Sequence, residues 1–142
     1  MMLRTDPPGD NRGRAEAMQE DAEFVAMVPV SDLDRSVAWY GEVFGLEPAW
    51  RGDGVAQYRS AFARFDLYVT ASAGTAQHTL AAWIVDDVED AVASLRDRGV
   101  VFEEYDFPAL KTVDGIADLG YERAAWFRDP DGNILSVGQP TG

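Results

Sequence analysis

Apolar residues in this chain change their spacing in a fixed order, and they do so twice. A run of apolar residues, Phe24-Val25-Ala26-Met27-Val28-Pro29-Val30, has the look of a short buried strand. It leads into Ser31-Asp32-Leu33-Asp34-Arg35-Ser36-Val37-Ala38, where the spacing becomes helical. Leu33, Val37, Tyr40 and Phe44 form one apolar stripe, Ser31 or Asp32 supplies the cap, and Gly45 stops the helix. The phrase that opens at Val30 returns at Val85 as Val85-Asp86-Asp87-Val88-Glu89-Asp90-Ala91-Val92-Ala93, with Val, Asp, Val and Ala identical in the two copies. The second helix, 87–98, carries its stripe at Val88, Val92 and Leu95 and ends near Gly99.

Strand-like stretches follow each helix. The first copy has them at 48–51, 55–60 and 63–70, with turns at Gly52-Asp53-Gly54 and around 60–62. The second has a strand at 79–85 before the helix and another at 100–106. A long loop is expected over 107–119, then strands at 121–128 and 133–137. Asp129-Pro130-Asp131-Gly132 joins the last two with turn chemistry at every place. Each copy is therefore a β-α-β-β-β module. The expected division is a flexible tail over 1–21, a first module over 22–71, a linker over 72–78 and a second module over 79–139.

Composition narrows the function. The formal charge is −13, from 12 Lys and Arg against 25 Asp and Glu, with no basic run, so nucleic acid is not an expected partner. There is no cysteine, which excludes disulfides, thiolate metal sites and a cysteine nucleophile. No apolar run reaches the roughly 18 residues needed to cross a bilayer, and the beginning lacks the apolar stretch of a secretory signal. A cytoplasmic protein without a membrane partner is the expectation.

Two stretches carry a family resemblance. They are Val30 through Tyr40 with Phe44-Gly45-Leu46, and Phe127-Arg128-Asp129-Pro130-Asp131-Gly132-Asn133. On these the chain resembles the vicinal oxygen chelate superfamily, which includes glyoxalase I, bleomycin-resistance proteins, fosfomycin-resistance enzymes and extradiol dioxygenases. The resemblance runs from Phe24 to Val137. It implies an α+β fold, with two tandem βαβββ modules forming a curled mixed sheet around a shared cavity and helices on the convex side. It implies a homodimer as well.

In the enzymes of that superfamily a divalent metal is held by His and Glu on the first and last strands of the modules. The resemblance puts those places at Val25, Tyr68, Leu80 and Ser136. Zinc, iron and manganese want imidazole or carboxylate, and an aliphatic side chain offers no lone pair, so the pattern is lost at all four. His78, the only histidine, lies two residues from Leu80 and reads as a solvated strand start. No metal and no cofactor is expected.

Strand alternation maps the cavity wall. With Val25 pointing in, so do Met27 and Pro29; with Leu80, so do Ala82 and Ile84. Asp66 and Tyr68 share a face, and Ser136 comes from the last strand. Trp50, Tyr58, Phe62, Tyr105, Phe107, Tyr121 and Trp126 are aromatics near the rim. The candidate ligand-binding residues are Val25, Met27, Trp50, Tyr58, Asp66, Tyr68, Leu80, Tyr105, Trp126 and Ser136. Asp66 is the one acid placed inward, and the 107–119 loop with Lys111, Asp114 and Gly115 is a candidate lid. No nucleophile–base pair is visible, and no catalytic residue is assigned. The reading is a metal-independent protein that binds and sequesters an aromatic or cationic small molecule. A lyase, isomerase or dioxygenase-like enzyme of the same superfamily, or a dimer with a vestigial pocket, are the alternatives.

Overall fold

The computed structural model describes residues 22–61 and 63–142; the expected tail over 1–21 and the rim aromatic Phe62 lie outside them. The first module runs β1 (Ala26–Val30), α1 (Leu33–Phe44), β2 (Trp50–Gly52), β3 (Val55–Arg59) and β4 (Arg64–Val69). The second runs β5 (Thr79–Ile84), α2 (Val88–Asp97), β6 (Asp106–Phe107), β7 (Leu110–Val113), β8 (Ile116–Asp118), β9 (Glu122–Arg128) and β10 (Ile134–Pro140).

The repeated phrase makes the same cap in both copies. Asp32 accepts a hydrogen bond from the Arg35 N–H at 3.1 Å, and Asp87 accepts one from the Asp90 N–H at 3.0 Å. Each satisfies a donor that the first turn would otherwise leave open. Gly45 closes α1 in the left-handed region at φ 70°, a conformation that costs a side chain but not a glycine.

The fold is α+β with two mixed sheets that do not close. One has the order β1-β4-β3-β2 and the other β5-β10-β9-β8-β7-β6. In each, the strand before the helix pairs in parallel with the module's last strand, β1 with β4 and β5 with β10. Val28, Val30, Leu67, Phe127, Leu135 and Val137 of the sheets join Tyr40, Val43, Val88 and Val92 of the helices in one buried cluster. That cluster spans both modules, and the Phe44 ring stacks on Trp83 across them, centroids 4.3 Å apart.

The stripe on α1 is rotated slightly from the expected one. Leu33, Ser36, Tyr40 and Val43 are buried, while Val37 and Phe44 are half-buried beside the cluster. A larger difference is the expected 100–106 strand and 107–119 loop. Residues 100–105 make a single bridge, Phe102 to Phe127, and the loop is instead two hairpins, β6–β7 and β7–β8. Asp114-Gly115 closes the second, both residues at positive φ (57° and 85°), as a tight two-residue turn requires. Lys111 and Asp114 thus sit on a paired ribbon rather than on a free lid.

Candidate functional site

Register separates each sheet into a face packed on the common cluster and a face turned away from it. On the first sheet the outward row across the strands is Met27, Asp66, Gln57 and Trp50, with Pro29, Tyr68, Val55 and Gly52 in the next row. The Trp50 ring, 55% exposed, lies over Gly52, where a Cβ would collide with it; glycine is what allows the indole to lie flat there. Met27, at the other end of that row, is 47% exposed, and Tyr68 and Val25 are half-buried.

Asp66 is 6% exposed, and its charge is already answered. Arg64 reaches its two oxygens through Nε (3.3 Å) and Nη2 (3.5 Å), and also reaches Glu23 at 2.9 Å. Hydrogen bonds from Arg59 and Arg64 hold the Glu23 carboxyl below its ordinary range. A cationic ligand at Asp66 would have to displace Arg64.

On the second sheet the outward row is Ala82, Ser136 and Trp126. Beside it runs a row of mostly small residues, Ile84, Gly138, Ala124, Ala117 and Thr112. The Trp126 Nε1–H donates to Thr79 Oγ1 at 3.1 Å, which lays the indole across β10 towards β5. Tyr105 meets the Trp126 ring edge-on at 5.8 Å, and Phe107 stacks beside Tyr105 at 6.1 Å. Thr112 holds this segment in place, its Oγ1 accepting from the Tyr105 N–H at 2.8 Å. Burial raises the Tyr105 phenol above its ordinary pKa, and Glu103 adds to that. Phe107 is left 59% exposed. The result is a broad aromatic ledge over a floor of small side chains.

Eight of the ten candidate residues fall on these outer faces or at their rims: Val25, Met27, Trp50, Asp66 and Tyr68 on one, Tyr105, Trp126 and Ser136 on the other. Two do not. Tyr58 points to the core side, 2% exposed and stacked on Phe65, because it shares parity with Ala56 rather than with Gln57. Leu80 sits at an irregularity in the β5–β10 register and packs on the core, so the alternation that carried it outward breaks there. Thr79 and Phe107 belong with the second face; only the aromatic character of Phe107 signalled it in advance.

The donor set does not fit a divalent metal. Tyr68 and Ser136 offer neutral hydroxyls, Val25 and Leu80 offer nothing, and His78 is exposed with its Nδ1 3.0 Å from the Thr79 carbonyl oxygen. Among the described residues no group of three or more His, Cys, Asp or Glu could hold a metal ion.

This paired βαβββ architecture defines a class, and residues 24–137 match the family model for the Glyoxalase/Bleomycin resistance protein/Dioxygenase superfamily. The chain belongs to that superfamily. It is similar to TnmS3, an antibiotic binding protein from Streptomyces sp. CB03234, at 25% identity and a TM-score of 0.61, covering 84% of this chain and 95% of that one. A bleomycin resistance determinant encoded on the transposon Tn5 shares the fold at 17% identity and a TM-score of 0.64, covering 84% and 98%. A bleomycin-binding protein complexed with bleomycin does so at 17% and 0.62, covering 82% and 97%. Comparison with curated proteins finds no match.

Proposed function

We propose that this protein binds and sequesters an aromatic small molecule without a metal ion, in the cytoplasm. The observation that carries the reading is the ledge of Trp126, Tyr105 and Phe107, three rings on an outer face that the common core does not use. Flat rings favour stacked or edge-to-face partners, and Thr79 and Ser136 stand near enough to orient a polar group. TnmS3 is an antibiotic binding protein, and the bleomycin-binding protein is complexed with bleomycin, which supports a small organic ligand here. An aromatic ligand fits better than a cationic one, because Arg64 occupies the Asp66 carboxylate.

Both outer faces turn away from the core of their own chain, so one chain does not close them on each other. A homodimer that sets the Trp50 face of one protomer against the Trp126 face of its partner would enclose a ligand between two indoles. No catalytic step is assigned.

The test is titration with 9-anthracenemethanol, which is neutral, and proflavine, which is cationic, in EDTA, with sedimentation to give the oligomeric state. The expected result is a dimer that binds the neutral probe in EDTA and loses about tenfold or more of its affinity in Trp126→Ala. Binding that needs a divalent ion, or that ignores Trp126, would sink the reading.

A further inference from the structure

We infer that each chain holds a second small-molecule site, enclosed between its two modules, which takes an uncharged aromatic molecule bearing a hydrogen-bond acceptor. This site goes beyond the outer-face reading and shares none of its rings. A cavity of about 520 Å³ opens between β1 and β5 on the side of the common core. That is the volume of a small-molecule pocket, too small for a protein segment of any length. Ala26 and Ala81, on the two edge strands, leave the room that larger side chains would fill.

The walls are aromatic. Tyr58 and Phe65 stack with centroids 4.7 Å apart and planes 1° apart, and Trp83 stands edge-on to Phe65 at 6.4 Å. Tyr40 closes the far side at 6.3 Å from Tyr58. A planar guest would meet a ring face on one side and ring edges on the other, the arrangements that aromatic pairs prefer.

Tyr58, a residue of the wall, carries the polar handle just beneath the cavity surface. Its hydroxyl is buried and has no hydrogen-bond partner among the described residues. Burial, with Glu47 adding to it and Arg51 opposing, pushes the phenol up to about 12, so it stays protonated and can only gain by finding an acceptor. The cations at the mouth are already engaged. Arg59 and Arg64 both pair with Glu23, at 2.8 and 2.9 Å, and Arg64 also pairs with Asp66, which favours a neutral guest over an anion.

The test compares naphthalene with 1-acetylnaphthalene, which differ by one carbonyl acceptor. It uses the full chain with Trp50→Ala and Trp126→Ala combined, so that the outer ledges are disabled and emission comes from Trp39 and Trp83. The expected result is saturable quenching at one probe per chain, with the acetyl compound bound about fivefold more tightly. Tyr58→Phe in that background keeps the ring stack and should erase the fivefold difference while still binding naphthalene. Ala26→Phe fills the cavity and should abolish binding of both. No saturable binding in the double variant, or binding that survives Ala26→Phe, overturns the proposal. A gap between probes that persists in Tyr58→Phe overturns the role of its hydroxyl. If the double variant binds and the outer faces do not, the inner site stands alone; the reverse leaves only the outer reading.

Discussion

On their core sides the two modules do the same work. β1 and β5 are edge strands, each paired in parallel with its module's last strand, and each runs into a helix capped by an aspartate. On their outer sides they diverge. The first sheet presents Met27, a buried acid locked to an arginine, and one tryptophan over a glycine. The second presents a connected group of three rings beside a floor of Gly138, Ala124 and Ala117. Constraint explains the difference. The core faces must fit each other, because they share one cluster, whereas the outer faces answer only to what they meet.

The turn after β9 sharpens the contrast, since every polar side chain in it is engaged. Asp129 Oδ1 accepts from the N–H groups of Asp131 (3.0 Å) and Asn133 (2.9 Å), and Oδ2 accepts from the Asn133 amide (2.8 Å) and the Tyr40 hydroxyl (3.0 Å). The Asn133 amide also donates to the Pro29 carbonyl, and Asp131 receives the Ser31 N–H and Arg35. This turn fastens the second module to the start of α1. In a ligand-binding surface such saturation would be a defect; in a clamp it is the purpose.

The largest effect should come from the inner face. Phe127 has no exposure, and Phe127→Ala should cost about 3–5 kcal/mol in chemical denaturation, by transfer and cavity together. Both modules should unfold in one transition, because the cluster is common to them. Two separated transitions would show that the modules fold independently. Asp129→Asn comes next, at about 2–3 kcal/mol, because an amide cannot accept all four hydrogen bonds. Trp126→Ala should cost only about 1–2 kcal/mol of stability while removing most ligand affinity. Equal damage to stability and binding would erase the distinction between the faces.

Much of this was legible because it is local. The repeat located both helices and their caps, and the alternation in β1 separated the helix-facing Val28 and Val30, both buried, from Met27 on the opposite face. Alternation failed at Leu80, where an irregularity in the β5–β10 register changes the parity, and no residue type there announces it. Tyr58 was open to the same logic once Ala56 and Leu67 were paired across β3 and β4, but that register is a tertiary fact. The Asp114-Gly115 hairpin carried a clear turn signal that the expected long loop hid. How two sheets with no strand pairing between them among the described residues sit together, and hence the cavity beside Tyr58, is written in side-chain volumes across the core. One chain's pattern of apolar positions does not encode it.

The smallest effect tests the clamp against an exposed ion cluster by pH. Burial raises the Asp129 carboxyl above its ordinary 3.8, although hydrogen bonds from Asn133 and Tyr40 pull the other way. The folded chain therefore holds that proton more tightly than the unfolded one. Asp129's own titration contributes stability that is fully present below the ordinary carboxylate range and is lost as pH rises through the raised value. Glu23, lowered from 4.5 by Arg59 and Arg64, has the opposite sign: its contribution is present above the ordinary value and lost as pH falls through the lowered one. Carbon-13 NMR of the side-chain carboxyls should resolve the two midpoints on either side of their ordinary positions. Asp129→Asn removes the acid-favouring member of the pair, so its stability should fall more steeply than the wild type's on acidification. Glu23→Gln should fall less steeply. An Asp129 midpoint at or below 3.8 would mean that four donors outweigh burial, and that the clamp is built around a stabilised charge rather than a reluctant one.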